Sequence, residues 1–372
     1  MGEIAEWLQQ RKPQINELVD TTSQTVLDGM ADDVLLDEYF PIRTYLAFEL
    51  LWAQFKTQGA IASVVGFEGE IPGTRSGSIT EVALDVFKLG IAHHYTENLL
   101  KMMYEFEQRS LAVPALMTQF KNMLFGTIDD LKPRINGLMK LMTWQVLTTG
   151  SCDYLDPRTR IRAKVTYNAL PALFPAALTG VRRWSVPATA TGIADLVALN
   201  EAWYAVHRRF PDKTVLSRRQ VNNLLLQDAT RSAAVSRVAS GATPASYVVN
   251  RDLLNVLLMD RQVPPIAEND DEVEVESITI VGGVPIVSTT PYRLVPDNVV
   301  CFLSKSRGQG GVMRSMGVRA LGPVPSAKMR PGISVFSEEV SKEPPVDRSV
   351  AVATFVPAIW DDRQLCAQKV DT

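Results

Sequence analysis

The chain has 372 residues, enough for about two domain-sized cores. Hydrophobic residues make up 46% and charged residues 21%, a balance that supports a packed core and argues against a disordered chain. The formal net charge of -3 argues against a protein whose main task is wrapping nucleic acid, which carries a strong basic excess.

Residues 1 to 45 read as an arm. Pro13 suits a helix start, where its missing N–H costs nothing, and Ile15, Leu18, Val19 and Val26 follow at near-helical spacing. That stripe is too thin to stand alone and needs a partner surface. Asp32, Asp33, Asp37 and Glu38 make the end of the arm acidic. An apolar patch follows: Leu46, Phe48, Leu50, Leu51, Trp52 and Phe55. Ile61 to Val65 reads as a strand. Gly66, Gly69, Pro72, Gly73, Ser76, Gly77 and Ser78 supply a wide turn-rich tip, and alternation resumes from Ile79. This is a long hairpin with too few large apolar residues at its tip to make a core, and such a hairpin is marginal alone. It is expected to lie across another subunit.

Residues 96 to 150 are expected to be mainly helical, with Pro133 marking a kink or break and Gly150 a stop. Met117, Met123, Met139 and Met142 read as core filler rather than a binding face. Strands and turns are expected over 151 to 185, and an amphipathic helix from Ile193 through Leu196, Val197, Leu199 and Trp203. Thr214 to Leu216 reads as a short strand; Gln220 to Leu226 and residues 251 to 258 read as helices. The acidic run Glu268 to Glu272 is expected to be an exposed loop. Glu274 to Val281 and Val284 to Val287 form a hairpin about Gly282-Gly283. Further strands are Val299 to Leu303, Ile333 to Phe336 and Ser349 to Val356.

No stretch carries a catalytic signature. His93 and His94 are adjacent and point apart on a helix or a strand, so they do not make a two-histidine metal site, and His207 stands alone. Cys152, Cys301 and Cys366 are too widely spaced for a zinc knuckle and read as free buried thiols of a reducing compartment. Gly308 to Gly311 lacks the Lys-Ser/Thr of a phosphate-binding loop. Asp129-Asp130, Asp270-Asp271 and Asp361-Asp362 are sequence neighbours, a poor arrangement for general acid/base work. No catalytic, cofactor or metal site is expected. Arg158, Arg160, Arg162, Lys164, Arg182, Arg183, Arg208, Arg209, Arg218 and Arg219 make a basic middle, read as solvated faces and subunit contacts, with phosphate contact as the rival reading. The start, Met1 to Glu6, lacks the regions of a secretory signal, and no apolar run approaches a membrane span.

The order of elements resembles that of tailed-phage major capsid proteins, and of the lambda capsid protein E family among them. Gly69-Glu70-Ile71 through Thr74-Arg75-Ser76-Gly77-Ser78, with Glu81 beyond, is similar to that family's extended loop. Trp144 to Gly150 resembles its spine-helix end. Leu294 to Val300, with Pro296-Asp297-Asn298, resembles its strand entry, and Asp347 to Asp361 its closing stretch. Each motif is short; their order along nearly the whole chain carries the resemblance.

The resemblance implies an α+β fold of the Hong Kong 97 type. Residues 1–45 would be an N-terminal arm and 46–90 an extended β-hairpin loop. A peripheral domain with a long spine helix would take 91–160 and 300–372, and an axial domain 161–299. It implies a structural protein, not an enzyme, that self-assembles as hexamers and pentamers into an icosahedral shell around double-stranded DNA. Other readings are a cellular encapsulating shell, or a nucleic-acid-binding virion protein using the basic middle. Expected intersubunit residues are Trp7, Ile15, Leu18 and Val19 in the arm and Glu68, Glu70 and Arg75 at the loop tip. Expected partners are other copies of the chain, a portal protein, a decoration protein and DNA through non-specific contact, with no membrane. Location would be the virion, with assembly in host cytoplasm. Some members of the fold cross-link a loop lysine to a neighbour's asparagine. Here no Lys lies between Lys56 and Lys88 and no Asn follows Asn298, so no such link is expected. With about 45 residues before the loop, a separate scaffolding protein, or none, is expected.

Overall fold

The computed structural model describes residues 33–45, 49–56, 78–95, 101, 105, 131–238, 247–281, 284–307, 313–342 and 345–371. The described elements begin with α1 (Val34–Tyr39), β1 (Ile42–Thr44), β2 (Glu49–Lys56), β3 (Ser78–Asp85) and β4 (Phe87–Tyr95). Next come α2 (Leu131–Thr149), β5 (Ser151–Leu155), β6 (Arg162–Thr166), α3 (Gly192–His207), β7 (Lys213–Leu216), α4 (Arg218–Leu226), α5 (Asp228–Val238) and α6 (Arg251–Met259). The remainder is β8 (Ile266–Glu268), β9 (Glu272–Val281), β10 (Val284–Arg293), β11 (Val299–Leu303), β12 (Ser306–Arg307), β13 (Met313–Arg314), β14 (Gly317–Val324), β15 (Arg330–Pro331), β16 (Ser334–Lys342), β17 (Pro345–Ile359) and β18 (Ala367–Lys369).

A six-stranded sheet is organised around β17. Its residues 345–352 pair with β16, 354–359 with β14 and 347–355 with β4, all antiparallel, while β1 adds parallel to β14 and β15 joins β14. Helix α2 lies against this sheet and buries Ile135, Met139, Met142, Trp144, Val146 and Leu147. Met139 and Met142 are fully buried core filler, as expected; Met117 and Met123 lie outside the described residues. Gly150 ends the helix at φ +75, its N–H donating to the Val146 carbonyl at 2.8 Å. That left-handed geometry favours glycine. Pro133 sits in the first described turn of α2.

A four-stranded sheet, β18-β11-β7-β8, joins two cores. Every residue of β11 is buried, and side chains alternate along a strand. Val299, Cys301 and Leu303 enter the core of α2 and the large sheet. Val300 and Phe302 enter a second core with Trp184, Leu196, Leu199, Trp203, Leu224 and Leu258. A continuous apolar run thus marks a strand covered on both faces.

Several expectations change. The hairpin's first strand is the apolar patch itself, Glu49–Lys56, paired with Ser78–Asp85; Ile61 to Val65 lies outside the described residues. The acidic run is not one exposed loop: Glu268 closes β8, Glu272 opens β9, and Asn269 is buried, its side chain accepting from the Asp271 N–H. Strand β10 continues past Val287 to Arg293. Strand β14, fully buried at the middle of the large sheet, and helix α5 had no counterpart in the sequence reading.

Candidate assembly surfaces

Residues 33–40 are fastened at three places. Asp33 caps α1, one carboxylate oxygen accepting from the Leu36 N–H at 3.0 Å and the other from the Trp144 indole N–H at 3.2 Å. Asp37 pairs with Arg319, whose side chain is fully buried in β14 and also donates to the Phe40 carbonyl at 2.8 Å. Glu38 accepts from Lys213 at 2.9 Å and Lys305 at 2.8 Å, and both ammonium groups lie over the Tyr39 ring. These lysines hold the Glu38 carboxyl below its ordinary range. Burial lowers the Arg319 pKa and Asp37 raises it back. Phe40 fills the space above Gly317, where a Cβ would come within 2.4 Å of its ring. Residues 33–40 are therefore held against α2, β14 and the four-stranded sheet.

Two hairpins are built differently from the sheets. Among the described residues β2 and β3 pair only with each other, over eight residues, from Glu49↔Asp85 at the root to Lys56↔Ser78 at the far end. At Val86 the chain passes straight from this ladder into β4. β9 and β10 pair over ten residues each, again only with each other among the described residues. Pro285 and Pro291 are six positions apart, so their nitrogens face one edge. A proline nitrogen cannot donate, so that edge is the outer edge of β10, which is thereby blunted against strand addition. The root of β9 is tied to α2: Glu276 accepts from Arg134 at 3.1 Å and from Arg158 at 3.3 Å.

The basic middle is distributed over several surfaces and much of it is paired. Arg162 grips Asp153 and keeps that carboxyl below its ordinary range. Arg182 pairs with buried Asp195 at 2.7 Å, which also accepts from the Trp184 indole at 3.1 Å. Arg219 lies 3.8 Å from Asp297. Beside Asp195, a groove of about 390 Å³ is lined by Ala172, Ala176, Ala198 and Ala202. The turn between β5 and β6 holds the densest cluster, with Arg158, Arg160 and Arg162 beside exposed Leu155 and Ile161.

The arm and loop-tip positions named from the sequence, Trp7, Ile15, Leu18, Val19, Glu68, Glu70 and Arg75, all lie outside the described residues, as does Gly308 to Gly311. The fastening residues Asp33, Asp37, Glu38, Trp144 and Arg319 went unrecognised as a group; an arginine within the run Val318 to Leu321 was the available signal. His207 packs on Trp203 with ring centres 4.3 Å apart, and its Nε2 lies 2.9 Å from the Arg363 carbonyl oxygen. Burial lowers its pKa. The three cysteines are buried, and burial pushes Cys152 and Cys301 up to about 12. Among the described residues no cluster of His, Cys, Asp and Glu could hold a metal ion, and no helix is long and apolar enough to cross a membrane.

A protein described as a prophage capsid protein of Escherichia coli CFT073 superposes with a TM-score of 0.50 at 10% identity, over 91% of this chain and 92% of that one. The chain has the Hong Kong 97-type capsid fold. A phage-related protein of Bordetella bronchiseptica RB50 gives a TM-score of 0.47 at 12% identity, over 92% and 95% of the two chains. The SrpI encapsulin of Synechococcus elongatus PCC 7942 gives 0.42 at 9%, over 91% and 87%. No family model and no curated protein matches this capsid-fold chain by sequence.

Proposed function

We propose that this chain is the major capsid protein of a tailed phage, a structural subunit that assembles as hexamers and pentamers into an icosahedral shell around double-stranded DNA. The observation that carries the reading is a capsid fold with an eight-residue hairpin that pairs with nothing else among the described residues. Such a two-stranded ladder is marginal in water, and a neighbouring copy supplies the missing surface. A fold by itself hosts many functions, so the hairpin, and not the fold, decides between assembly and other roles.

In this reading the core of α2 and the large sheet is the peripheral domain, and the core of α3, α4 and α6 is the axial domain, with β11 and β18 at the seam. The proposed partners are other copies of the chain, a portal protein and a separate scaffolding protein or none, with a decoration protein as an optional addition; the proposed place is the virion, with assembly in the host cytoplasm. Each contact between copies is weak alone, and closure multiplies it.

Electron microscopy of the purified chain tests the proposal. Uniform shells or tubes are expected from the wild type, and soluble unassembled subunits from a chain lacking residues 66–78. A wild type that stays monomeric at high concentration overturns the reading, as do normal shells from the deletion. Nucleic acid inside native particles is expected; a packaged enzyme in its place identifies the cellular encapsulating shell instead.

A further inference from the structure

The turn joining β5 to β6 is a rigid display of mixed chemistry. Asp156 organises it: its carboxylate accepts from the Arg158 N–H at 2.7 Å and the Thr159 N–H at 3.1 Å. Its carbonyl accepts from the Arg160 N–H at 2.9 Å, and its own N–H donates to the Ile161 carbonyl at 3.0 Å. Arg160 is held at φ +60, a left-handed conformation that an arginine adopts only where its surroundings impose it. The turn turns out two aliphatic side chains, Ile161 at 69% and Leu155 at 52% exposed. Around them stand Arg134, Arg158, Arg160, Arg162 and Lys164, which outnumber Asp153, Asp156 and Glu276. Arg160 has no ion-pair partner among the described residues.

A surface that pairs exposed aliphatics with excess cations suits an acidic, apolar polypeptide segment. A phosphate backbone takes the cations and leaves the aliphatics wet. The chain itself contains a segment of that chemistry: Val64-Val65-Gly66-Phe67-Glu68-Gly69-Glu70-Ile71. It lies between the far ends of β2 and β3. Eight residues of strand carry that end about 26 Å from the hairpin root, out toward a neighbouring molecule.

We infer that residues 64–71 of one copy dock on the Leu155–Lys164 turn of a second copy, with Phe67 and Ile71 against Leu155 and Ile161 and with Glu68 and Glu70 facing Arg160 and Lys164. This rests on the capsid reading above and names a contact within it. It makes the turn a determinant of which copy a hairpin reaches, through charge as well as apolar fit.

Charge exchange tests it. Arg160→Glu with Lys164→Glu, and separately Glu68→Lys with Glu70→Lys, are each expected to abolish shells seen by electron microscopy. Combining all four changes in one chain restores them. Arg160→Glu alone lowers shell yield and leaves the subunit's thermal unfolding unchanged, because Arg160 is exposed and has no ion-pair partner among the described residues; Lys164 stands opposite Asp153 in the ladder, so its change to Glu also lowers the unfolding temperature. Ile161→Ser likewise lowers shell yield with an unaltered subunit. Normal shells from R160E/K164E overturn the inference, and so does failure of the four-fold variant to recover while it folds as the wild type does. R160E/K164E shells that form normally but lose their nucleic acid also overturn it, and assign the turn to phosphate. A wild type that forms no shells overturns the capsid reading and this contact together, whereas wild-type shells with indifferent variants overturn this contact alone.

Discussion

Glu38 shows how one side chain fastens α1 to the four-stranded sheet. Its carboxylate, one third exposed, lies between the ammonium groups of Lys213 on β7 and Lys305 beyond β11. Hydrogen bonds from Lys305 and then Lys213 lower its pKa from 4.5, against the opposing effect of burial. The folded value is thus below the unfolded one. Such a group contributes stability that is present above the unfolded value and is lost as pH falls through the folded value. Glu38→Gln is therefore expected to cost about 1 kcal/mol at neutral pH, a modest figure because solvent screens the pair. The difference from wild type closes as pH falls below 4.5. Urea unfolding across a pH series checks this, and a gap that persists undiminished into acid removes the charge from the explanation. Arg319 is the contrasting case. Its buried charge answers Asp37 and the Phe40 carbonyl, so removing either partner leaves an uncompensated group inside the sheet.

At the scale of elements, Gly150 decides where helix α2 stops and the β5–β6 ladder starts. It stands at φ +75, and a Cβ there would meet both Ala169 and Phe174 at 3.3 Å. Gly150→Ala is expected to destabilise the fold by about 2 kcal/mol, through left-handed strain and crowding together. Thermal unfolding measures it, and a change within a few tenths of a kcal/mol shows that the turn relaxes. This stop was legible in the sequence because glycine after a long helical pattern has few other uses. The hairpin about Gly282-Gly283 and the doubly covered strand β11 were legible for similar reasons, since local pattern and tertiary role agree there. Strand β14 was not. Gly317 to Val324 contains two glycines, a proline and an arginine, and the tertiary pairing with β1 and β17 overrides all four. Gly317 is there because Phe40 and the Ala358 carbonyl occupy the space of a side chain. Helix α5 has small residues where a stripe would be, so its burial against α4 and α6 left no periodic signal. The fastening of residues 33–40 was hidden for a further reason: Asp33, Asp37 and Glu38 read as an acidic solvated run, and their partners lie more than a hundred residues away.

For the whole molecule, the question is whether the proposed shell holds by contact alone or by covalent ligation. Lysine–asparagine ligation needs a nucleophilic amine on the hairpin of one copy and an acceptor amide on its neighbour. Residues 57–87 contain no lysine, and Lys56 and Lys88 flank them. Lys56 pairs with Ser78 at the far end of the ladder, and Lys88 lies in the large sheet opposite Thr354. No asparagine follows Asn298, so strands β14 to β17 of the large sheet offer no acceptor of that kind. The cysteines do not substitute for it, because all three are buried and held as thiols. In the proposed shell, cohesion then comes from many weak contacts closed on themselves, a mechanism in which each interface stays reversible and the assembled whole persists. Shells dissolved in hot denaturing detergent are thus expected to migrate as single chains with or without reductant. They are also expected to dissociate in denaturant at a midpoint that depends on subunit concentration. Ladders of ligated chains on the denaturing gel refute the contact-only shell, and mass spectrometry of the linked peptides then identifies which side chains perform the ligation.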